Sequence, residues 1–200
     1  MGLEIEYNEG QTPLDEEEKE GLLISSISTR GELDEAEQRN IEEALLWLMQ
    51  RRKKFTTDEI LTEAFVCNLH KRMLSGVWRW AGKFRTSEKN IGVKSYLIGT
   101  ELRSLLEDCK YWVENETYPP EEIAISLKHR IVVIHCFANG NGRHSRLMAD
   151  VIIEKIFGKE AFSWTSNNLV PVGQNRANYL SALRSADQND YTALIEFAKS

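Results

Sequence analysis

Residues 119–146, PPEEIAISLKHRIVVIHCFANGNGRHSR, decide the fold of this 200-residue chain. They begin with two prolines and two acidic residues, which favour the first turn of a helix. The apolar run that follows is hydrophobic on most sides, as is typical of a buried helix. It ends at a histidine and a glycine-rich turn, after which a new helical pattern starts. We therefore predict a mainly α-helical domain organised around one central buried helix.

The turn that follows this helix has the features of an anion-binding site. Gly140 and Gly142 can adopt backbone conformations closed to other residues, so that successive N–H groups turn toward an anion. A helix that starts near Gly142 would direct its positive end at the same point, and Arg143 and Arg146 add forked cations. His135 is a candidate general base, because histidine titrates near physiological pH. These residues predict a phosphate-bearing ligand.

The bulk composition limits the class of protein. With 42% hydrophobic and 28% charged residues, the chain fits one compact domain. Its net charge of −6 argues against direct nucleic-acid or membrane-surface binding. The three cysteines are widely spaced and odd in number, which disfavours a zinc site or disulfide framework and favours a reducing compartment. No apolar run approaches the roughly 20 residues that span a bilayer. We expect a cytoplasmic protein.

The hydrophobic periodicity elsewhere predicts further helices. They cover 33–49, 57–73, 100–113, 143–157, 174–186 and 190–198. Residues 1–24 are expected to form an extended arm with one short helical turn, and the acidic run 15–18 to be a solvated face. The basic run 51–54 is assigned to a helix C-terminus in preference to a nucleic-acid patch.

Residues 87–97 lack a helical period and predict a small β-hairpin flap. Polar and small residues alternate there with apolar ones, as in Asn90, Ile91, Gly92 and Val93. One interpretation is a lid that docks an extended segment of a target protein by strand addition. A plain connecting hairpin is the alternative.

The run from His135 to Arg146 resembles the signature of the Fic family. That signature is His-Pro-Phe, any residue, Asp or Glu, Gly-Asn-Gly-Arg, two residues and Arg, and seven positions match in register. Residues 80–86 and the downstream Tyr179 also resemble Fic proteins, so that the similarity covers about 40–198. The segments 12–15, 21–22 and 29–33 further resemble the bacterial subfamily called mobile mystery protein B. The resemblance implies a Fic-type helical bundle with a flap, divided into an arm at 1–34 and a Fic domain at 35–200.

The activity implied by this resemblance is transfer of AMP from ATP to a hydroxyl side chain of a target protein. His135 would be the catalytic base, and Phe137 would anchor the loop. Arg146 would reach the γ-phosphate. The nucleotide-binding set implied by the resemblance comprises Phe137, Gly140, Asn141, Gly142, Arg143, Arg146, Tyr179 and Asp187, with Mg²⁺ as the accompanying ion.

Two positions depart from the family signature. Asn139 stands where the family usually has an acid that coordinates Mg²⁺, and a neutral amide oxygen binds a hard cation without charge attraction. Cys136 replaces the proline, and nothing in the sequence predicts a reactive thiol there.

The N-terminal arm contains a candidate inhibitory segment. Many Fic proteins carry a Ser or Thr followed after three residues by a Glu that pairs with the second signature arginine. Ser28 and Glu32 fit this spacing, which suggests self-inhibition through a pair between Glu32 and Arg146. The alternative is a helix N-terminal capping box that contains the same residues.

Other functional interpretations remain open from the sequence alone. A Fic fold can serve a phosphotransferase or another nucleotidyl transferase, and a catalytically weak scaffold is suggested by Asn139. The resemblance also suggests a toxin-like role, a small DNA-binding antitoxin-like partner and a homodimer. The target protein is not identifiable from the sequence.

Overall fold

The computed structural model describes residues 13–50, 54–164 and 174–200, and within them it is mainly helical. Its helices are α1 (Glu16–Lys19), α2 (Arg30–Gln50), α3 (Thr57–Ile60), α4 (Glu63–Leu74), α5 (Ile98–Glu114), α6 (Pro120–Ile134), α7 (Asn141–Val151), α8 (Gln174–Ala186) and α9 (Thr192–Lys199). A 3₁₀ turn, Ser95–Leu97, precedes α5, and a π-helical turn, Ile152–Ile156, extends α7.

Helix α6 is the central helix, as the sequence predicts. It packs against α5 and α7, and most of its residues are buried. Pro120 occupies its first turn, where the missing N–H costs nothing. The helix ends because His135 adopts a left-handed conformation with φ of 56°, while its N–H still donates to the Ile131 carbonyl at 3.0 Å. The ending therefore fixes the direction in which His135 leaves the helix.

The predicted helix at 57–73 is two helices in the structure. Leu61 leaves the helical region with ψ of 56°, and the next helix starts with a new cap in which Thr62 accepts the Phe65 N–H at 3.1 Å. Thr56 and Glu59 form a capping box on the short helix α3. Helix α4 then packs on α2, which places His70 in the interior.

The N-terminal arm contains the predicted helical turn, α1, but its acidic run is only partly solvated. Glu16 and Glu17 are exposed, whereas the Glu18 side chain is 12% exposed. Its carboxylate accepts a hydrogen bond from Ser87 Oγ at 2.7 Å and forms an ion pair with Lys89. The expectation of a fully solvated face is therefore wrong at Glu18, which fastens the arm to residues 87–89.

The predicted β-hairpin flap is absent from the described residues. Residues 87–94 form an irregular loop that runs into the 3₁₀ turn. Glu88 closes this loop by accepting hydrogen bonds from the Ser95 N–H and hydroxyl at 3.0 and 2.9 Å. The Val93 N–H donates to the Ile134 carbonyl at 3.3 Å, and the Val93 carbonyl accepts from Arg85, so its backbone groups are used outside a hairpin ladder. Asn90, Ile91 and Gly92 are exposed at the tip.

Three sequence predictions fall partly on residues outside the described ranges. These are residues 1–12 of the extended arm, the start of the segment 12–15 and residues 51–53 of the basic run. The predicted boundary between 34 and 35 lies within α2. Among the described helices, none combines the length and the apolar character that crossing a membrane requires.

Candidate active site

His135 lies between the end of α6 and the glycine turn, and its imidazole is buried. The residue is 5% exposed, and within the described part of the chain neither ring nitrogen has a hydrogen-bond partner. Burial, reinforced by the nearby charge of Arg85, lowers the pKa of His135 to about 4. The imidazole is therefore neutral at pH 7 and has a nitrogen free to accept a proton.

Arg85 holds the backbone around His135. Its Nε–H donates to the His135 carbonyl at 2.7 Å, and its two Nη groups donate to the carbonyls of Ser87 and Val93. The main-chain N–H of Arg85 donates to the Cys136 carbonyl at 2.9 Å. The side chain is buried, so these bonds form in a low-dielectric environment that strengthens them. Arg85 thus connects the loop at 87–94 to the candidate base.

Gly92 allows this close approach of the loop. Its φ is +102°, a conformation that L residues with a side chain rarely adopt. A Cβ at this position would lie 2.7 Å from both Arg85 Nη2 and His135 Cβ. A larger residue at 92 would therefore displace the loop from His135.

The glycine turn is held from inside by Asn141 and Phe137. The Asn141 amide accepts from the Phe137 N–H at 2.9 Å and donates to the Phe137 carbonyl at 2.8 Å. Both residues are buried, so the Asn141 amide is already paired within the loop. This geometry gives the Asn141 side chain a role in loop shape, and the place of Asn141 in the nucleotide-binding set stays a prediction.

His70 supports the turn from below. Its ring stacks on Phe137 with centroids 3.7 Å apart. Nδ1 accepts the Gly82 N–H at 2.9 Å, so Nε2 carries the proton and donates to the Asn139 carbonyl at 3.0 Å. Burial keeps the pKa of His70 well below its usual value, which is consistent with this neutral tautomer. His70 is thus a structural residue, and it contacts the glycine turn through Phe137 and Asn139.

The two glycines of the turn differ in their roles. Gly140 has φ of +77° and precedes α7, and a Cβ there would lie 2.8 Å from Leu74 Cδ1. Gly142 lies in the first turn of α7, where a Cβ would meet no described atom within 4 Å beyond its own stretch of helix. The expectation of an unusual backbone conformation is therefore met at Gly140 and is wrong at Gly142. The open space beside Gly142 lies at the first turn of α7, the end of a helix that stabilises anions.

Arg143 forms an ion pair with a buried carboxylate. Its Nη2 lies 2.5 Å from Glu37 Oε2, and Glu37 Oε1 accepts a hydrogen bond from Trp78 Nε1 at 2.6 Å. The Glu37 side chain is 2% exposed and the Arg143 side chain 13%. An anion that uses this arm of Arg143 would compete with Glu37.

Arg146 is buried without a carboxylate partner among the described residues. The residue is 4% exposed, and its Nε and Nη1 have no hydrogen-bond partner in that part of the chain. Its guanidinium lies over the Tyr179 ring, with Cζ 4.6 Å from the centroid. Buried N–H groups that lack an acceptor are costly, so this side chain is suited to bind an anion.

Comparison with known proteins finds a family match. Residues 60–153 match the model of the Fic/DOC family. This region of the chain is similar to a Fic/DOC domain. The matched region starts at the end of α3 and extends into the π-helical turn, so it includes Arg85, His135 and the glycine turn.

Curated Fic relatives are similar to this chain over most of its length. Protein adenylyltransferase fic-1 of Caenorhabditis elegans is 25% identical over 154 residues, which cover 75% of this chain and 28% of that protein. A probable protein adenylyltransferase of Aquifex aeolicus is 25% identical over 150 residues, covering 72% of this chain and 42% of that protein. The chain therefore spans less than half the length of these relatives.

Solved Fic structures share the fold. Fic-1 from C. elegans aligns with a TM-score of 0.65 at 21% identity, covering 90% of this chain and 51% of that one. BepC from Bartonella tribocorum, solved with bound AMPPNP, aligns with a TM-score of 0.66 at 13% identity, covering 92% and 97%. These likenesses confirm the predicted Fic-type helical fold.

Glu32 does not contact Arg146 in the structure. Its carboxylate accepts hydrogen bonds from the N–H groups of Ser28 and Thr29 at 2.9 and 3.0 Å, and its own N–H donates to Thr29 Oγ1 at 3.3 Å. These bonds form the capping arrangement at the start of α2, and they lower the pKa of Glu32. The predicted pair with Arg146 is therefore absent, because the carboxylate is engaged in the helix cap on the exposed surface.

Tyr179 and Asp187 lie in different surroundings. Tyr179 is buried on α8, with its ring against Arg146 and its hydroxyl accepting from Lys128 Nζ at 2.6 Å. Asp187 follows α8 and is bonded to His129 at 2.8 Å, with a side chain that is 55% exposed. The structure thus brings Tyr179 to the signature arginine and pairs Asp187 with a residue of α6.

Asn139 and the described residues around it do not form a magnesium site by themselves. Asn139 Oδ1 accepts the Gly140 N–H at 2.5 Å, so the one neutral oxygen is already engaged. The described ranges contain no cluster of three or more His, Cys, Asp or Glu residues placed to hold a metal ion. Hard cations prefer several oxygen ligands with negative charge.

Cys136 is buried, which raises its thiol pKa to about 12, so it is not a reactive thiol.

Sequence reasoning did not assign roles to Glu37, Arg85 or Lys128. Glu37 has a detectable signal, because it lies four residues from Leu33 and from Ile41 on the buried face of α2. Lys128 interrupts the apolar pattern of α6. Arg85 carries no such signal, because its partner at the site, the His135 carbonyl, lies 50 positions later in the chain.

Proposed function

We propose that this Fic domain is a protein adenylyltransferase, which transfers AMP from ATP to a hydroxyl side chain of a target protein. The observation that carries the proposal is the state of His135, a neutral buried imidazole whose nitrogens have no partner among the described residues, beside a glycine turn and two arginines. The curated relatives named protein adenylyltransferases support the same activity.

The reaction needs a base and an electrostatic cradle. His135 accepts the proton of the target hydroxyl as its oxygen attacks the α-phosphorus. A new bond forms between that oxygen and phosphorus, the bond from phosphorus to the bridging oxygen of the β-phosphate breaks, and pyrophosphate leaves. His135 is held at both its carbonyl and its N–H, which limits its displacement, and about 1 Å of misplacement can cost roughly a hundredfold in rate.

The phosphates are placed by the start of α7 and by Arg146. Helix α7 begins at Asn141, a Cβ built on Gly142 would meet no described atom within 4 Å beyond that stretch of helix, and helix N-termini stabilise anions. Arg146 offers N–H groups that lack partners in the described part of the chain, whereas Arg143 must share its charge with Glu37. We infer that Arg146 is the principal phosphate ligand and that Glu37 restrains Arg143.

Magnesium, which the resemblance implies, would supply charge neutralisation of the phosphates. In this chain Asn139 offers one engaged neutral oxygen, so we expect such an ion to be held mainly by phosphate oxygens. None of the steps above depends on it.

Labelled ATP identifies the group that is transferred. The chain is incubated with a lysate and ATP labelled on the α-phosphorus or, separately, on the γ-phosphorus. Adenylyl transfer places the α-label and not the γ-label on protein. The γ-label alone would identify a phosphotransferase, and neither label would favour a scaffold.

The remaining expectations about biology stay proposals. They are the mobile mystery protein B subfamily, a toxin-like role, a small DNA-binding partner, a homodimer and a cytoplasmic location. The exposed residues Asn90, Ile91 and Gly92 remain candidates for target docking, now as a loop instead of a strand. Binding of an irregular loop would rely on side-chain contacts more than on backbone pairing.

A further inference from the structure

A second buried cation lies beside Arg146. Lys128 of α6 is 0% exposed, and its Nζ donates to the Tyr179 hydroxyl at 2.6 Å. The same Nζ is 4.5 Å from the centroid of the Tyr179 ring, and Arg146 Cζ is 4.6 Å from it. Tyr179 thus contacts two buried cations that come from adjacent helices.

The acids described around this group are engaged elsewhere. Asp150, one turn after Arg146, accepts from Trp164 Nε1 at 2.9 Å and from the Phe162 N–H at 3.2 Å. Burial raises the pKa of Asp150 to about 7, so it carries only part of a negative charge at neutral pH. Asp187 is bonded to His129. The described surroundings of Lys128 and Arg146 therefore hold an excess of positive charge.

The excess charge affects Tyr179. Burial alone would raise the pKa of the Tyr179 hydroxyl, but the charges of Lys128 and Arg146 lower it to about 8. Buried cations without matching anions are unfavourable, and proteins retain such groups where a ligand supplies the missing charge. The cluster of Lys128, Tyr179 and Arg146 is therefore suited to bind a strongly negative ligand.

We propose that Lys128 is a specificity-determining residue for the terminal phosphate of a nucleoside triphosphate. It positions Tyr179 against Arg146 and adds a second buried charge to the subsite that Arg146 forms. A terminal phosphate carries a charge between about −1.5 and −2 near neutral pH, by analogy with phosphate monoesters. Two cations match that charge, whereas AMP places no phosphate there. The inference rests on the proposed function only in taking ATP as the nucleotide.

Calorimetric binding of ATP, ADP and AMP to the full chain tests this inference. Lys128→Met removes the charge and keeps a chain of similar length. Lys110→Met is the matched control, because it makes the same change in net charge at a residue paired with Asp58 on the surface. We expect Lys128→Met to weaken ATP binding at least about tenfold while AMP affinity changes less than about twofold. Lys110→Met should keep the wild-type affinities.

An unchanged ATP-to-AMP affinity ratio in Lys128→Met would overturn the inference. If that variant does not fold, Lys128→Gln takes its place, because an amide can still donate to the Tyr179 hydroxyl while the charge is removed. A lower ATP-to-AMP affinity ratio in Lys128→Gln supports the inference, and the wild-type ratio contradicts it. The binding experiment does not require AMP transfer. If the protein transfers no label but its ATP affinity still depends on Lys128, the proposed function is wrong and this inference stands.

Discussion

Arg85 donates its Nε–H to the main-chain carbonyl of His135 at 2.7 Å, so the candidate base is held by a residue 50 positions earlier in the chain. The same guanidinium binds the carbonyls of Ser87 and Val93, which belong to the loop beside the site. One buried side chain therefore couples the position of the base to the position of the candidate docking loop.

We expect Arg85→Lys to slow AMP transfer by roughly 10- to 100-fold, because an ammonium on a flexible stem cannot reproduce three fixed bonds. The measurement is the initial rate of α-label transfer at saturating ATP. Arg103→Lys is the control, since Arg103 is exposed and donates to Gly99 within its own helix. A wild-type rate in folded Arg85→Lys would show that the bonds to His135 do not position the base.

The pair between Glu37 and Arg143 predicts a gain in ATP affinity on removal of the carboxylate charge. Glu37→Gln can still accept the Trp78 N–H, while Arg143 becomes free for phosphate. We expect tighter ATP binding by calorimetry and a loss of about 1–3 kcal/mol in the free energy of unfolding, since a charged hydrogen bond is lost. Glu32→Gln is the control and should leave ATP affinity unchanged. Tighter ATP binding in Glu32→Gln together with unchanged binding in Glu37→Gln would contradict this account and identify Glu32 as the inhibitory residue.

The buried histidines predict a loss of stability in acid. All four histidines have lowered pKa values in the folded state, mainly through burial: His70, His129, His135 and His144. Between about pH 6.5 and 4 the unfolded chain binds protons that the folded chain does not, so the free energy of unfolding falls as the pH falls. Asp150, whose pKa burial raises to about 7, acts in the opposite direction across that whole range, but it is one group against four.

Urea unfolding at pH 5 and pH 7 checks this balance. We expect a lower free energy of unfolding at pH 5, with about 1.36 kcal/mol per pH unit for each proton taken up on unfolding. Asp150→Asn removes the opposing contribution and should steepen the dependence. A free energy of unfolding that does not change between pH 5 and 7 would mean that the histidines are not held neutral.

Substitution of His70 is expected to disturb the glycine turn, although His70 itself takes no part in the chemical step. His70→Leu removes the bonds to Gly82 and Asn139, whereas His70→Asn retains a donor and an acceptor. We expect the leucine variant to weaken ATP binding and slow transfer about tenfold or more, with partial recovery in the asparagine variant. Equal behaviour of the two folded variants would argue that the polar contacts of His70 are unimportant.

The sequence predicts the parts of the fold that depend on local patterns. The proline and acidic residues at the start of α6, its apolar faces and the glycine turn are all contiguous, so their structure follows from neighbouring residues. The predicted hairpin failed because Val93 bonds to Ile134 and Arg85, partners that lie outside the flap segment. Local alternation alone could not distinguish this loop from a pair of strands.

The candidate site was predictable where residues follow one another and unpredictable where helices meet. His135 and the arginines were identified from one short run, whereas the contact between Glu37 and Arg143 joins residues 106 positions apart. The spacing of Glu32 suggested an inhibitory pair, but the same spacing also produces a helix cap, and the local cap is what forms. The carboxylate on a signature arginine instead comes from Glu37, further along α2.

The most direct test of the proposed function is the rate of α-label transfer by wild-type protein and by His135→Asn at matched ATP occupancy. We expect the variant to bind ATP with wild-type affinity and to transfer label at least about 100-fold more slowly, since general base catalysis contributes roughly 10²- to 10⁴-fold. Transfer at the wild-type rate by His135→Asn would contradict the assignment of His135 as the base.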